Sequence, residues 1–264
     1  MAIMRASVSV VVPTFNSART IKRALQSVYQ QTLLPAEIIV VDDCSTDDTV
    51  SQVEELTHSS PIRTRIVRLD KNSGPSNARN TGWGIATEKY VAFLDSDDTW
   101  HHEKIRIQFG WLETHPEIKV SGHLIGSLKA NTNQQNLRVK SFSLNDFLIR
   151  NRVSTPTVML QRELDFRFSS EMRHSEDYDL WMRIVGSGLA FSRLEICLAS
   201  THKHSFATSG LSSQLKPMRD GELASVRNLR FNKVISEFTY ALARCWILLK
   251  YVRRQLYVTF SRSK

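Results

Sequence analysis

The chain has 264 residues, 41% apolar and 23% charged, a balance that excludes a disordered polymer. Ten glycines and seven prolines exclude collagen-like and low-complexity classes, and three scattered cysteines (Cys44, Cys197, Cys245) are too few for a disulfide framework or a zinc site, which points to a reducing compartment. The net charge of +9 is uneven: from residue 221 onward nine Lys/Arg face only Glu222 and Glu237, so the tail carries +7 and the preceding 220 residues only +2. No run reaches the ~18 apolar residues of a spanning helix, and Pro13 breaks the first apolar run too early for a secretory signal.

In chain order, Val8–Val12 reads V-S-V-V-V, the continuous β-branched pattern of a strand buried on both faces. A turn at residues 13–17 follows, then helical spacing at Ile21, Leu25, Val28 and Tyr29, with Ser17 as the cap. Glu37–Asp43 is a second strand ending in two acids, and Thr49–Leu56 reads as helix. Arg65–Leu69 is a third strand, Asn77–Ala86 a helix, and Tyr90–Leu94 a fourth strand, again ending in acids. Beyond Trp100 the pattern weakens. Residues 103–114 read as helix, 127–139 as loop, Leu144–Arg150 as a short helix and Thr157–Leu160 as a strand. Ser175–Val185 is helical with Ser175 as cap, and a last helix covers Val234–Phe260.

This alternation predicts an α/β fold with a parallel sheet and right-handed crossovers. Ligands of such sheets bind beyond the carboxyl ends of the strands. Thr14/Asn16, Asp42/Asp43 and Asp95/Asp97/Asp98 follow three of the strands and are expected on one edge.

Each polar cluster has a chemical and a structural reading. Carboxylates two apart at Asp95 and Asp97 can share one hard divalent cation, or form a solvated capping turn. Asp42-Asp43 can bind a base or ribose, or cap the following helix. Arg79, after Gly74-Pro75-Ser76, can face a diphosphate or solvent. Glu176-Asp177 can supply a general base, or acids that favour a helix N-terminus. Thr201-His202-Lys203-His204 can offer a metal ligand or lie on the surface.

Taken together, the segments VSVVVPTFNSARTIKRALQSVYQQT, EIIVVDDCSTDDT, NSGPSNARNTG, YVAFLDSDDTWHHEKI, TPTVML and SEDYDLWMRI resemble family-2 glycosyltransferases of the GT-A fold, in the style of bacterial surface-polysaccharide enzymes. They span residues 8–185, about two thirds of the chain. The resemblance implies a Rossmann-like, mixed but mainly parallel sheet flanked by helices, in a catalytic domain of residues 1–220 with halves of about 1–100 and 101–220. A basic helical appendage, 221–264, completes it.

The resemblance also implies roles. Pro13, Thr14, Phe15 and Asn16 match the first nucleotide-contacting turn, Asp43 a base-reading acid, and Arg79 a basic residue near the nucleotide. Asp95 matches a ribose or metal contact, Asp97 the direct ligand of Mn²⁺ or Mg²⁺, and Asp177 the catalytic base. Relatives often carry Tyr-Arg-x-His where this chain has Thr201-His202-Lys203-His204, so that segment departs from the pattern.

The expected activity is inverting transfer of a hexose or N-acetylhexosamine from a nucleotide diphosphate sugar, UDP above all. The acceptor would be a hydroxyl of a growing cell-surface glycan on a polyprenyl diphosphate carrier. The expected location is cytoplasmic, peripheral on the inner membrane. Val234, Phe238, Leu242, Cys245, Leu249, Val252 and Leu256 form a rough apolar stripe that could lie on an anionic membrane or pack on the domain. Two rivals use the same acidic edge: a nucleotidyl- or phosphoryl-transfer enzyme, for which no G-x-x-x-x-G-K loop exists, and a non-catalytic sugar-nucleotide binder. A nucleic-acid partner is opposed by the near-neutral body and acidic edge.

Overall fold

Continuous apolar runs become strands covered on both faces. In the computed structural model, which describes residues 4–58, 60–128, 137–202 and 214–262, the first four strands are β1 (Arg5–Thr14), β2 (Leu34–Asp42), β3 (Arg63–Arg68) and β4 (Tyr90–Phe93). β1 pairs in parallel with β2 and with β4, and β2 with β3. Side chains alternate between two cores. Val8, Val10, Val12, Ile38 and Val40 face one, while Val11, Ile39, Val41 and Phe93 face the other. Helices α1 (Ile21–Tyr29), α2 (Thr49–His58) and α3 (Pro75–Ile85) make the crossovers.

The second half adds β5 (Asp98–Trp100), β6 (Val120–Ile125), β7 (Val139–Phe142), β8 (Met159–Gln161) and β9 (Phe191–Thr201). The sheet order is β3-β2-β1-β4-β8-β6-β9-β5, with β7 also on β9. Here, among the described residues, only β6–β9 is parallel; β4–β8, β6–β8, β5–β9 and β7–β9 are antiparallel. The sheet is therefore mixed, with its parallel character concentrated in the first half. Helices α4 (Lys104–Thr114), α5 (Leu144–Ile149), α6 (Glu176–Gly186), α7 (Leu215–Phe231) and α8 (Glu237–Arg262) complete the described chain.

Several local expectations change. Ser17 does not cap α1 with its side chain, because the helix starts later, with Thr20 at its N-cap. Ser175 does precede α6, but its hydroxyl donates to the Met218 carbonyl at 3.2 Å instead of capping. Thr157 belongs to a 3₁₀ turn (Thr155–Thr157), and β8 begins at Met159. Of the expected loop at 127–139, residues 129–136 lie outside the described residues, and Val139 opens β7.

The last helix turns its other side inward. Tyr240, Ala243 and Ile247 are buried, whereas Phe238, Leu242, Leu249, Val252 and Leu256 of the expected stripe are exposed, as is Cys245. Val234 precedes the helix. Trp246 donates its indole N–H to the Ile149 carbonyl at 2.8 Å, which fixes α8 to the end of α5.

Helix α3 lies close on β1 and β2 because Gly82 has no side chain; a Cβ there would overlap the Val11 side chain and crowd Val41. Both valines are fully buried and hold the sheet's core. Gly82→Ala is therefore expected to destabilise the protein by about 1–3 kcal/mol despite the higher helix propensity of alanine, read as a lowered Tm. An unchanged or raised Tm would contradict this packing.

Candidate active site

Parallel pairing brings the strand ends together. Thr14 on β1 is in register with Asp42 on β2, and Val11 with Phe93 on β4. The residues that follow, Asp43 and Asp95, thus emerge at the same edge, where a cavity of about 970 Å³ opens. Pro13, Thr14, Phe15, Asp43, Asp95 and Asp97 all line it. Phe15 is 47% exposed and offers a stacking surface at the cavity wall.

Two expected nucleotide residues are more constrained than the sequence suggested. Asn16 does not line the cavity. Its side-chain oxygen accepts from the Thr46 N–H at 2.9 Å, and its own N–H donates to Ser45, so it braces the β1–α1 turn against the β2–α2 loop. Its φ of 47° is the left-handed conformation that asparagine tolerates. Asp43 lines the cavity but accepts the backbone N–H groups of Ser73 and Gly74, each at 2.7 Å. It thereby shapes the turn that launches α3. Its neighbour Asp42 is buried and accepts from the Ser45 N–H.

Asp95, Ser96, Asp97 and Asp98 form one tight turn, closed by the Asp98 N–H donating to the Asp95 carbonyl at 3.1 Å. Ser96 shares a 2.8 Å hydroxyl contact with Ser17, which ties this turn to the β1–α1 turn. Asp98 is buried and enters β5, opposite Thr201 of β9. That pairing carries His202 to the same place, where its Nε2 lies 3.0 Å from Thr99 Oγ1. Burial and Arg23 lower the His202 pKa, with Asp97 opposing. Lys203 and His204 lie outside the described residues.

Arg79 is the junction of the site. Its guanidinium is buried and makes 2.8 Å ion pairs with both Asp95 and Glu176. Burial disfavours its charge, but Asp95 and Glu176 outweigh that effect and hold it more firmly protonated than a free arginine. The aromatic ring of Phe168 lies 5.3 Å from it. Arg79 thus ties strand β4 to the N-terminus of α6. It does not lie on the surface.

Asp177, next to Glu176, faces the same cavity. It accepts from Asn151 Nδ2 at 3.0 Å and from the Tyr178 N–H at 2.7 Å. Enclosure by the protein and the negative charge of Glu176 push its pKa up to about 7, against the stabilising effects of the Tyr178 N–H, Arg79 and Asn151. A carboxyl that titrates near neutrality in a cleft is suited to move a proton. Asn151 carries no signal in the sequence, whereas Glu176 is visible there only as a member of the Glu-Asp pair and not as the partner of Arg79.

Among the described residues no three His, Cys, Asp or Glu side chains converge as a ready metal cage. The donor set nonetheless fits Mg²⁺ or Mn²⁺. Such hard ions commonly take one or two carboxylates and complete their shell with water and substrate phosphates, and Asp95 and Asp97 supply two carboxylates on one turn at the cavity wall.

Comparison with known proteins agrees with this geometry. The glycosyl transferase family 2 model matches residues 9–168. The chain is 31% identical over 186 residues to the Escherichia coli UDP-Glc:α-D-GlcNAc-diphosphoundecaprenol β-1,3-glucosyltransferase WfgD, covering 67% of this chain and 69% of that one. In fold it is similar to S. aureus TarS 1–349 in complex with UDP-GlcNAc (TM-score 0.69, 22% identity, 95% of this chain and 72% of that one). It is equally similar to the mannosyltransferase PcManGT of Pyrobaculum calidifontis in complex with GDP-Man and Mn²⁺ (TM-score 0.69, 19% identity, 95% and 74%). With the family model matching well over half of the residues and the strand-end acids gathered as that fold requires, the chain belongs to glycosyltransferase family 2 and has the GT-A fold.

Proposed function

We propose that the chain is a metal-dependent, inverting glycosyltransferase that moves a hexose or N-acetylhexosamine from a UDP-sugar to a hydroxyl of a lipid-linked surface glycan. The observation that carries this reading is the placement of Asp177 and the Asp95–Asp97 turn in one cavity, joined through Arg79 and Glu176. The name of the E. coli relative, with its UDP-Glc donor and diphosphoundecaprenol-linked acceptor, supports the substrate class.

In this mechanism Phe15 stacks on the nucleoside, and the Thr14 and Asp43 edge borders it. Asp95 and Asp97 would hold Mn²⁺ or Mg²⁺, which when bound neutralises charge developing on the departing diphosphate. Asp177 accepts the proton of the acceptor hydroxyl as that oxygen attacks the anomeric carbon opposite the leaving group. One displacement inverts the configuration, so an α-linked donor gives a β-glycoside. Asn151 and the Tyr178 N–H fix the carboxylate's orientation for that transfer.

The acceptor would arrive at a membrane surface. No helix among the described residues is long and apolar enough to cross a membrane. The exposed stripe of α8, with Arg244 and Arg253 also on its solvent side, is suited to lie in an anionic interface. Replacing Leu242, Leu249 and Leu256 together by glutamine leaves the buried side of α8 untouched. The variant is expected to lose flotation with vesicles rich in anionic lipid while keeping its Tm; flotation equal to wild type would remove this reading.

Asp177→Asn is expected to lower transfer by about 10²–10⁴-fold while UDP affinity stays within about twofold. A collapse of UDP affinity would count against a base role. The wild-type kcat/KM should rise through about pH 7 and level off above it, because the base must be unprotonated. The raised pKa also means that the native state binds its proton more tightly than the unfolded chain, so this group's stabilising effect fades as pH rises from about 4 to about 7. Asp177→Asn should therefore be at least as thermostable as wild type at pH 8.

Chelation with EDTA should abolish release of UDP from the donor, and Mn²⁺ or Mg²⁺ should restore it. In Asp97→Asn the metal concentration for half-maximal rate should rise about tenfold or more, as expected for losing a ligand charge. Full activity in EDTA would exclude metal dependence.

A further inference from the structure

The cavity is lined by two charged groups of opposite sign. The strand-tip group holds Asp43, Asp95 and Asp97, with Arg79 engaged by Asp95 and Glu176. The cavity is also lined by Arg150, Arg173, Lys250 and Arg254. Lys250 and Arg254, one turn apart on α8, both pair with a single buried carboxylate, Glu222 of α7, at 2.7 and 3.3 Å. Arg150 and Arg173 make no ion pair among the described residues. Against these four cations stand Glu222 and, bonded to Asn151 next to Arg150, Asp177, so the group keeps a formal excess of about +2.

This basic group is built, not incidental. Trp246 binds the Ile149 carbonyl one turn before Lys250, which places α8 beside the end of α5 where Arg150 sits. Gly221 permits α7 to approach the backbone of His174, next to Arg173, because any Cβ there would overlap the His174 carbonyl. Among the described residues the buried Nε2 of His174, another cavity residue, has no hydrogen-bond partner. A neutral sugar hydroxyl does not call for such a concentration of charge, whereas a phosphate group does.

We propose that this basic group is a second anion subsite, which takes a diphosphate borne by the acceptor through Arg150, Arg173, Lys250 and Arg254. The donor diphosphate occupies the acidic, metal-binding strand-tip edge. The inference rests on the glycosyl-transfer reading and adds to it the residues that would hold the acceptor's own phosphates. The subsite also fits the course of α8, whose inner side supplies two of the cations and whose outer side is the exposed apolar stripe.

The test uses the full chain saturated with UDP and Mn²⁺. Octyl diphosphate, inorganic pyrophosphate and the neutral octyl β-glucoside are titrated by calorimetry against wild type and the double variant Arg150→Ala/Arg173→Ala. Among the described residues neither arginine has an ion-pair partner to orphan, so the variant should keep the wild-type Tm. Wild type is expected to bind octyl diphosphate at least about tenfold more tightly than octyl glucoside. The variant should lose about tenfold for octyl diphosphate, with UDP affinity unchanged within twofold. Pyrophosphate bound more weakly than octyl diphosphate supports a lipid-borne phosphate; equal binding of the two supports the same subsite serving a free phosphate. Equal affinity of the variant and wild type for octyl diphosphate overturns the proposal. So does a parallel loss of UDP affinity, which would assign these cations to the donor. Because binding is read without turnover, failure to release UDP from any nucleotide sugar would refute the glycosyl-transfer reading while leaving the subsite measurement intact.

Discussion

One buried guanidinium organises the site. Arg79 lies between Asp95, from the β4 edge, and Glu176, from the start of α6. Burying any one of these charges alone would cost several kcal/mol. Together they oblige the two halves of the chain to meet, because the first-half cation has a second-half partner. Asp177 follows Glu176 directly and shares the first turn of α6 with it. An ion-pair triad thus helps to set the position of the proposed base relative to the acidic turn. The same triad feeds back on chemistry. Glu176 raises the Asp177 pKa while Arg79 lowers it, and enclosure in the cleft is the largest influence of all.

The first half was legible because its physics is local. V-S-V-V-V and E-I-I-V-V-D are β-branched runs that suit a doubly covered strand, and parallel pairing then fixes which ends meet. The single polar residue of the first run, Ser9, is not an exception: its hydroxyl donates to the buried Glu37 carboxylate at 2.7 Å. The second half was less legible because its strands are not apolar runs. β6 carries Ser121, Gly122 and His123 in buried positions, and β9 mixes Arg193 and Glu195 with Leu194 and Leu198. Their pairing is decided by partners far away in sequence, and a window of ten residues holds no trace of it.

The site shows the same division. Residues at strand ends (Thr14, Asp43, Asp95, Asp97) were readable because topology alone delivers them to one edge. Asn16 fell in the same motif, yet its amide is used up locally by Thr46. Motif position does not reveal which way a side chain turns. Asn151, Glu222, Lys250 and Arg254 were invisible as cavity residues, since each depends on tertiary packing of α5, α7 and α8. The tail's stripe was visible as a pattern but ambiguous in direction. Helix α8 has apolar residues on two sides, and only the contacts of Tyr240, Ala243 and Ile247 decide which one faces inward.

That ambiguity has a physical origin in the double use of α8. A helix that only packed on the domain would keep one apolar face and turn its charges outward. Here Lys250 is half-buried and bonded to Glu222, while Leu249 and Val252 are exposed. Placing a lysine on the inner side costs desolvation, which Glu222 offsets only by sharing itself with Arg254 as well. An arrangement that sends cations inward and leaves leucines outside is unfavourable for a monomer in water. It becomes sensible when the outward face meets an apolar phase and the inward face meets an anion. A lipid-linked diphosphate is one molecule that presents both, with its chain and its phosphates only a few bonds apart. Under the proposed reading, the helix would couple recognition of the acceptor's charged group to the surface from which that acceptor is drawn.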